Sequence, residues 1–247
     1  MFQPCAVIPV YDHEHAVGAV LRAVLDHGLP CILVDDASRP SCAAVLDRLA
    51  AAHPGRVLLE RHAINQGKGG AVLTGFKRAA LAGYSHVLQL DADGQHDAGD
   101  IASFLAAGAR HPNAVIAGCP IYDESVPKLR LYARYLTHVW VWINTLSLAI
   151  TDAMCGFRVY PVAPVLALAA RRRLGLRMNF DIEILVRLYW DGVAVVNHPT
   201  RVGYPADGVS HFQAWTDNVL ITRMHTALFF GMLPRIPMLL ARRGKGR

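Results

Sequence analysis

The most informative segment of this chain is Val87-Leu88-Gln89-Leu90-Asp91-Ala92-Asp93-Gly94-Gln95-His96. Its mostly apolar first half is typical of a buried strand, and the strand ends at two carboxylates one residue apart. The chain leaves the sheet where a strand ends, so both acids are expected to converge there on one hard cation. Mg²⁺ or Mn²⁺ held by Asp91 and Asp93, with substrate phosphates completing the shell, fits this arrangement. The alternative is a solvated acidic turn.

Two earlier segments repeat this pattern. Residues 31–34 are apolar and run into Asp35 and Asp36, and residues 5–10 form another apolar run that leads to Tyr11. In open α/β sheets, ligands bind beyond the carboxyl ends of the strands. The polar ends of all three runs are therefore expected along one crevice.

The first half of the chain alternates short apolar runs with helical patterns. The predicted strands are 5–10, 31–34, 56–61, 86–90 and 114–118. The predicted helices lie near 14–27, 42–52, 69–82 and 99–110. This alternation predicts an α/β fold with a mostly parallel central sheet and flanking helices.

The second half begins with a predicted helix over residues 127–150. Its apolar residues recur at helical spacing, namely Leu129, Tyr132, Leu136, Val139, Ile143, Leu146 and Ile150. Trp140 and Trp142 are typical of a membrane interface. A core helix packed on the sheet is the alternative.

Residues 212–241 form the other apolar segment. They are rich in aromatic and aliphatic residues, Pro234 and Pro237 interrupt them, and Arg242 and Arg243 follow. These breaks argue against a bilayer span and favour amphipathic helices that lie at a membrane interface with basic anchors. The alternative is a homodimer interface that buries the same residues.

Composition narrows the function classes. The formal net charge is +6, 53% of residues are hydrophobic and 18% are charged, which predicts a large core and excludes a disordered chain. No nucleic-acid motif accompanies the basic charge, so an anionic membrane surface is the expected partner rather than nucleic acid.

The cysteines and the N-terminus indicate the compartment. Five cysteines without a CxxC pair predict buried thiols in a reducing compartment. The N-terminal apolar run is short and is broken by Pro9 and Asp12, which is unlike a secretory signal. We therefore expect a cytoplasmic protein, peripheral on the inner face of the cell membrane.

The order of the motifs resembles that of family 2 glycosyltransferases, in particular the dolichyl- or polyprenyl-phosphate sugar synthases. The motifs are Pro9-Val10-Tyr11, Val34-Asp35-Asp36-Ala37-Ser38, Asn65-Gln66-Gly67-Lys68-Gly69, Asp91-Ala92-Asp93 and Cys155-Gly156-Phe157-Arg158. The resemblance implies a GT-A fold, a nucleotide-sugar donor such as a UDP- or GDP-sugar, a lipid acceptor and a divalent metal. It divides the chain into a GT-A glycosyltransferase domain over 1–205 and an amphipathic, basic, membrane-associating segment over 206–247.

The donor is expected at the first three motifs. Asp35 and Asp36 fit recognition of the base and ribose, because a carboxylate accepts hydrogen bonds from hydroxyls and ring N–H groups. The pocket wall is predicted to consist of Pro9, Val10 and Tyr11, with Tyr11 stacked on the base. The alternative for the acidic pair is helix capping by Asp36 or Ser38.

The resemblance adds Lys68, Asp91 and Ala92 as donor-binding residues. It also makes Asp93 the more direct metal ligand and lets Gln95 join the metal through a carbonyl. His96 is either a further ligand or a neighbouring surface histidine. An ordinary strand–helix turn is the alternative for the glycine-rich segment around Lys68.

The acceptor is expected near four arginines. The resemblance places Arg158 beside the acceptor and sugar, where it can pair bidentately with a phosphate. Arg130 and Arg134 lie one helical turn apart and can face the same phosphate. Arg201 is a further acceptor candidate by resemblance, and a solvated basic face is the alternative.

Asp181 and Glu183 are the remaining catalytic candidates. In family members that act on hydroxyl acceptors, an acid near this position serves as general base, whereas a phosphate acceptor is already ionised. The alternative is that both acids stabilise the N-terminus of the helix that runs to Trp190.

These expectations combine into a metal-dependent inverting glycosyltransferase that acts on a polyprenyl phosphate. A hydroxylated lipid or polyene acceptor is the alternative within the same class. A nucleotidyltransferase and a nucleotide-sugar-binding partner protein are alternatives from other classes.

Overall fold

The computed structural model describes residues 1–121, 128–203 and 213–243, without the side chains of residues 128–131, 133, 214 and 243. Its strands are β1 (Pro4–Val10), β2 (Cys31–Asp35), β3 (Val57–Arg61), β4 (His86–Gln89), β5 (Ala114–Ile121), β6 (Arg158–Pro161) and β7 (Ala194–Arg201). Its helices are α1 (Val17–Asp26), α2 (Pro40–Ala52), α3 (Lys68–Leu81), α4 (Ile101–Arg110), α5 (Lys128–Thr145), α6 (Val162–Arg171), α7 (Phe180–Trp190), α8 (Ala214–Met232) and α9 (Ile236–Arg243). Single 3₁₀ turns lie at Ala98–Asp100 and Leu233–Arg235.

The strands form one sheet in the order β3-β2-β1-β4-β6-β5-β7. All neighbouring strands are parallel except β6, which is antiparallel to both β4 and β5. Val10 pairs with Asp35, so the carboxyl ends of β1 and β2 lie side by side at one edge of the sheet. This edge is where an open α/β sheet binds its ligands.

Hydrophobic cores cover both faces of the sheet. Successive residues of β1 point to opposite sides, with Val7 in one core and Ile8 in the other. Helices α1, α2 and α4 contribute to the core that contains Ile8, and α3 and α5 to α9 contribute to the core that contains Val7. This burial on both faces explains why the central strands read as continuous apolar runs.

The structure confirms the predicted α/β fold with its mostly parallel sheet. Each of the five predicted strands is present, with bounds that differ by at most a few residues. The sequence interpretation missed β6, β7 and α6. The four residues of β6 run directly into α6, so neither element has the length or the turn signals by which it would be recognised.

Helix α5 is shorter than predicted and packs through a different face. It ends at Thr145 rather than residue 150, because Leu146 adopts a left-handed conformation with a φ of +49°. Its buried side chains include Thr137, Val141, Asn144 and Thr145. Residues of the predicted apolar stripe are exposed instead, with Tyr132 at 71% and Leu136 at 60%.

The C-terminal segment consists of α8, a 3₁₀ turn and α9. Its inner face joins the core through Met224, Leu228, Met232 and Leu239, whereas Trp215 is 85% exposed. In the part of the chain that the structure describes, the run Trp215–Arg242 is the one helical segment that meets the length and hydropathy of a membrane span, with a mean hydropathy of 1.3. All five cysteines lie in the described ranges as free thiols; the prediction that they are buried holds for four of them, and Cys119 is half-buried.

Candidate active site

An open polar cleft of about 80 Å³ lies beyond the end of β4. It is lined by Asp91, Asp93, Gln95, His96, Pro120, Arg134, Met154, Cys155, Gly156 and Val202. These residues come from the segment after β4, from β5 and α5, from the segment before β6 and from the end of β7. The structure therefore brings the predicted metal ligands and one predicted acceptor arginine into one cavity.

Lys68 forms ion pairs with two carboxylates at the cleft. Its Nζ lies 2.7 Å from Asp91 Oδ1 and 2.7 Å from Asp181 Oδ2. Burial lowers the pKa of Lys68, but the charges of Asp181 and Asp91 outweigh this effect and raise it well above its usual range. Burial raises the pKa of Asp91, but Lys68 and His96 lower it by more. The pKa of Asp91 therefore lies below its usual range. Lys68 and Asp91 therefore form a fixed ion pair at neutral pH.

Asp93 differs from Asp91 because it forms no ion pair with the residues that the structure describes. Burial and the neighbouring charge of Asp91 raise the pKa of Asp93 above its usual range. Lys68 thus pairs with Asp91 and Asp181, and Asp93 adds a further carboxylate beside this group. The charge that remains suits a divalent cation, and carboxylate oxygens are the ligands that Mg²⁺ and Mn²⁺ prefer.

The rest of the cleft floor is formed by His96 and Gln95. His96 Nε2 lies 3.8 Å from Asp91 Oδ2, and His96 Nδ1 is buried without a hydrogen-bond partner among the described residues. Gln95 lines the cleft, and its backbone carbonyl accepts a hydrogen bond from Gly203 N–H. If this carbonyl oxygen bound the metal, as predicted, it would do so while also accepting the hydrogen bond from Gly203.

Gly156 brings the backbone close to this network. A Cβ at this position would collide with the Asp91 carboxylate and would lie 2.7 Å from Lys68 Nζ. Any side chain at residue 156 would therefore push apart the ion pair that orders the cleft.

Asp35 and Asp36 are more deeply buried than the sequence led us to expect. Asp35 accepts hydrogen bonds from Ser38 N–H at 2.9 Å and from Arg61 Nε–H at 2.7 Å. Asp36 accepts from the backbone N–H groups of Gln66 and Gly67 at 2.8 and 2.7 Å, and lies 2.7 Å from His62 Nδ1. Both acids are almost fully buried, at 0% and 2% exposure, so in this arrangement neither presents its carboxylate to a base or ribose.

The capping alternative for this pair is wrong. Helix α2 begins after Arg39 without a side-chain cap, and Ser38 Oγ accepts a hydrogen bond from Asp12 N–H instead. Asp36 acts on a different element, because its two oxygens hold the loop that precedes α3 in place.

Arg134 also lines the cleft. Its Nε and Nη2 donate to the two oxygens of Asp152 at 2.6 and 2.8 Å, and His138 Nε2 lies 3.3 Å from Asp152 Oδ2. Burial raises the pKa of Asp152, but His138 and Arg134 lower it well below its usual range. Arg130 belongs to the same helix, α5, and its side chain lies outside the described residues.

The structure contradicts the expected exposure of Arg158. Its side chain is fully buried in β6, and Nη1 donates to Tyr160 Oη at 2.8 Å and to the backbone carbonyl of Asp181 at 2.7 Å. Arg158 therefore contacts the backbone of Asp181 and does not line the cleft. Its Nε and Nη2 are buried without a hydrogen-bond partner among the described residues. Burial raises the pKa of Tyr160 to about 12.

The two predicted acids of α7 differ in position. Asp181 accepts a hydrogen bond from Gln89 Nε2–H at 3.0 Å and is paired with Lys68. Glu183 accepts from Gly175 N–H and from Arg187 Nε–H, both at 2.7 Å, and does not line the cleft. The structure therefore brings Asp181, and not Glu183, into contact with the cleft network.

The other predicted residues lie around this centre. Pro9, Val10 and Ala92 are buried, and Tyr11 is 37% exposed at the end of β1. Arg201 is exposed at the end of β7, beside Val202 in the cleft wall. Val202 was missed because its contact depends on the bridge that it forms with His96, a pairing that the sequence does not signal.

Comparison with known proteins identifies the class. The sequence matches the family model for Glycosyl transferase family 2 over residues 5–165. A polyprenol monophosphomannose synthase of Mycolicibacterium smegmatis is 30% identical over 220 residues, which cover 83% of this chain and 78% of that protein. An undecaprenyl-phosphate mannosyltransferase of Micrococcus luteus is 26% identical over 199 residues, which cover 78% of this chain and 80% of that protein.

Solved structures agree at the level of the fold. Glucosyl-3-phosphoglycerate synthase from Mycobacterium tuberculosis, in complex with Mn²⁺ and uridine-diphosphate-glucose, superposes with a TM-score of 0.65 at 12% identity. The match covers 94% of this chain and 79% of that chain. The predicted GT-A architecture is thereby confirmed.

The sheet is mostly parallel, and its polar cleft lies at the carboxyl ends of the strands. Open α/β enzymes bind their ligands at this place. Because the sequence matches the family model over residues 5–165, the chain belongs to glycosyl transferase family 2 and is a glycosyltransferase. This membership confirms the predicted family and sets aside the nucleotidyltransferase and the non-enzymatic binding protein.

Proposed function

We propose that this protein transfers a sugar from a nucleotide-sugar donor to a polyprenyl phosphate at a membrane surface. The observation that carries the proposal is the shared cleft, which Asp91, Asp93 and Arg134 all line. The two carboxylates suit a metal-bound diphosphate, and the guanidinium suits a second phosphate.

The donor end of the cleft is assigned to Asp91 and Asp93. These two carboxylates would hold Mg²⁺ or Mn²⁺, and Lys68 keeps Asp91 ionised and oriented. A bound divalent metal would neutralise charge that develops on the leaving nucleoside diphosphate. Tyr11, at the exposed end of β1, is assigned to the face of the base, which agrees with the predicted pocket wall.

The acceptor end is assigned to Arg134 and to the outer face of α5. Arg134 is already oriented by Asp152, and a planar guanidinium can donate parallel N–H bonds to a phosphate. Tyr132, Leu136 and Ile143 are exposed along the same helix, at 71%, 60% and 37%. An apolar helix face that leads away from a phosphate-binding arginine suits a long isoprenoid chain.

The state of the acids favours a phosphate acceptor over a hydroxyl acceptor. A hydroxyl nucleophile needs a general base, but Asp181 has both oxygens engaged, by Lys68 and by Gln89. Glu183 is committed to Gly175 and Arg187. A phosphate monoester is already ionised and attacks the anomeric carbon without such help, in one inverting displacement.

Membrane association is assigned to the C-terminal segment. The inner face of α8 and α9 packs on the core through Leu228 and Leu239, while Phe230 and Leu240 remain exposed. A helix with one face packed on the protein suits a segment that lies along the bilayer surface. We assign the contact to the cytoplasmic face because free cysteines suit that side. Of the two predicted basic anchors, Arg242 donates to the backbone carbonyls of Tyr189 and Trp190 instead, and the side chain of Arg243 lies outside the described residues.

The test measures nucleoside-diphosphate release from UDP-, GDP- and dTDP-sugars with Mg²⁺ or Mn²⁺ in detergent. Each donor is incubated with polyprenyl phosphate, with the matching polyprenol, or without acceptor. We expect release from one donor only, and only with the lipid phosphate. The variant Asp93→Asn should lose nearly all turnover, whereas Asp97→Asn, an exposed acid four residues away, should keep it.

The outcomes separate the acceptor classes. Release that requires polyprenol rather than its phosphate would overturn the phosphate acceptor and favour a hydroxylated lipid. Full turnover of Asp93→Asn at saturating metal would show that the metal is held elsewhere.

A further inference from the structure

A second cleft lies away from the active site, between the C-terminal ends of α6 and α7 and the 3₁₀ turn that follows α8. Its volume is about 170 Å³. Its lining residues are Leu168, Arg171, Arg172, Arg187, Trp190, Asp191 and Arg235. Four arginines thus converge on one cavity that no step of the proposed reaction uses.

The cleft carries an excess of positive charge. Arg171 pairs with Asp191 at 2.9 Å, and Arg187 pairs with Glu183 at 2.7 Å. Neither Arg172 nor Arg235 forms an ion pair with the residues that the structure describes. Two of the four guanidinium charges are therefore not neutralised.

Two of the four arginines, Arg187 and Arg235, are oriented by contacts with their neighbours. The Arg235 guanidinium lies 4.8 Å from the centre of the Trp190 ring, and Arg235 Nη1–H donates to the Gly231 carbonyl. Arg187 lies over the same ring at 5.9 Å. Since a guanidinium has five donors, these contacts orient Arg235 while leaving N–H groups for a ligand.

An apolar edge adjoins the cleft. Leu233, Pro234, Pro237, Met238 and Leu240 are all exposed, and they flank Arg235 in the 3₁₀ turn and in α9. Leu239 points inward and anchors this edge to the core. Apolar residues beside fixed arginines combine the two chemistries that bind the surface of an anionic bilayer.

We infer that this arginine cleft binds the phosphate headgroup of an anionic phospholipid while the edge around Leu233 and Met238 enters the bilayer. The cleft would thereby fix the orientation of the enzyme on the membrane and select anionic membranes. This inference rests on the proposed membrane association, but not on the identity of the sugar or the acceptor.

The test is co-sedimentation of the full chain with phosphatidylcholine vesicles, with and without phosphatidylglycerol. The double variant Arg172→Gln/Arg235→Gln is compared with Arg22→Gln/Arg48→Gln, which removes the same charge from exposed arginines of α1 and α2. We expect the cleft variant to bind phosphatidylglycerol vesicles at least about tenfold more weakly, since a basic residue near such a surface contributes roughly fivefold. The control should change binding by less than about twofold.

Three further measurements keep the inference falsifiable. Circular dichroism and thermal unfolding test whether the variants are folded. If the double variant is not folded, vesicle binding is compared with the single variant Arg172→Gln, whose substitution lies at an exposed position. Sugar transfer in detergent should be unchanged in the cleft variant, so failure of the proposed reaction is seen separately from failure of vesicle binding. Equal losses of vesicle binding in the cleft and control variants would overturn the inference, because they would indicate diffuse electrostatic attraction. Displacement of the protein from vesicles by millimolar glycerol 3-phosphate would instead identify a soluble phosphate as the ligand.

Discussion

Lys68 lies between two carboxylates, and Gly156 is the residue that lets the backbone pass beside them. The absence of a Cβ at residue 156 leaves room for the Asp91 carboxylate and for Lys68 Nζ. Single residues without reactive groups of their own therefore determine whether the charged network can form.

The variant Gly156→Ala tests this close approach. We expect it to abolish most sugar transfer and to lower the free energy of unfolding by about 1–3 kcal/mol, the usual cost of overpacking. Gly18→Ala is the control, because nothing lies within 4 Å of its Cβ. Within α1 that change should raise stability by roughly 0.5–1 kcal/mol and leave turnover intact. Wild-type turnover in Gly156→Ala would mean that the site relaxes freely.

Asp152 gives a pH-dependent prediction. Its folded-state pKa lies well below the ordinary value because His138 and Arg134 outweigh burial, so its contribution to stability is complete above that ordinary value. Asp152→Asn should cost about 3 kcal/mol near neutral pH, because it removes the buried carboxylate that pairs with Arg134. Below about pH 4 the difference from wild type should narrow by roughly 1.4 kcal/mol per pH unit, because the unfolded wild type takes up a proton while the folded state stays ionised.

Urea unfolding of both proteins between neutral and acidic pH measures this difference. Asp47→Asn, which removes a carboxylate that is 59% exposed, is the control and should change little at any pH. A difference that stays constant down to strongly acidic pH would contradict the lowered pKa.

Residue types alone predicted some of these roles and not others. Asp91 and Asp93 were identified because a strand that ends in two acids has few structural explanations. Asp35, Asp36 and Arg158 were expected to contact ligands, but their partners lie far away in the sequence, at Arg61, Gln66 and Asp181. Burial of a charged side chain depends on such distant partners, and no local pattern encodes them.

At the scale of elements, Asp36 fixes the loop that leads into α3. Its carboxylate receives the backbone N–H groups of Gln66 and Gly67, and Lys68 begins the helix directly afterwards. The position of Lys68 in the cleft therefore depends on an acid at the end of β2.

The variant Asp36→Asn should loosen this loop. An amide has one oxygen to accept both hydrogen bonds, and bonds to charged groups contribute about 1.5–3 kcal/mol, so the amides of Gln66 and Gly67 should exchange at least about tenfold faster. Hydrogen exchange with mass spectrometry measures the change, and Asp26→Asn, at an exposed position of α1, should not alter it. Unchanged protection of residues 66 and 67 would contradict this role.

Some strands and helices could be predicted from the sequence, and others could not. The strands β1, β2 and β4 were predictable because both of their faces are buried, which leaves a continuous apolar run. The end of α5 was not, because Leu146 carries no glycine or proline signal for its positive φ. Its buried face was also misread, since Asn144 and Thr145 are polar and yet face the core.

At the scale of the whole molecule, the exposed apolar residues separate two interpretations of the C-terminal segment. Phe230→Ser/Trp215→Ser removes side chains that are 64% and 85% exposed, so stability should be nearly unchanged. If the segment lies on a membrane, vesicle binding should fall by at least about tenfold, in line with the loss of two large apolar contacts.

Leu81→Ser is the control, since Leu81 is 80% exposed at the end of α3. Analytical ultracentrifugation provides the second readout. A change from dimer to monomer, with vesicle binding intact, would instead identify these residues as a homodimer interface.

The antiparallel strand β6 affects how the protein is made. It fills the space between β4 and β5, and His86 pairs with Pro161, so the N-terminal part of the sheet is completed by residues that leave the ribosome much later. Until then, the nascent chain carries an open strand edge at Val87 and Leu88, which is a template for pairing with other chains. The period of greatest aggregation risk for this protein is therefore its own translation, and it ends when four residues, Arg158–Pro161, close the gap.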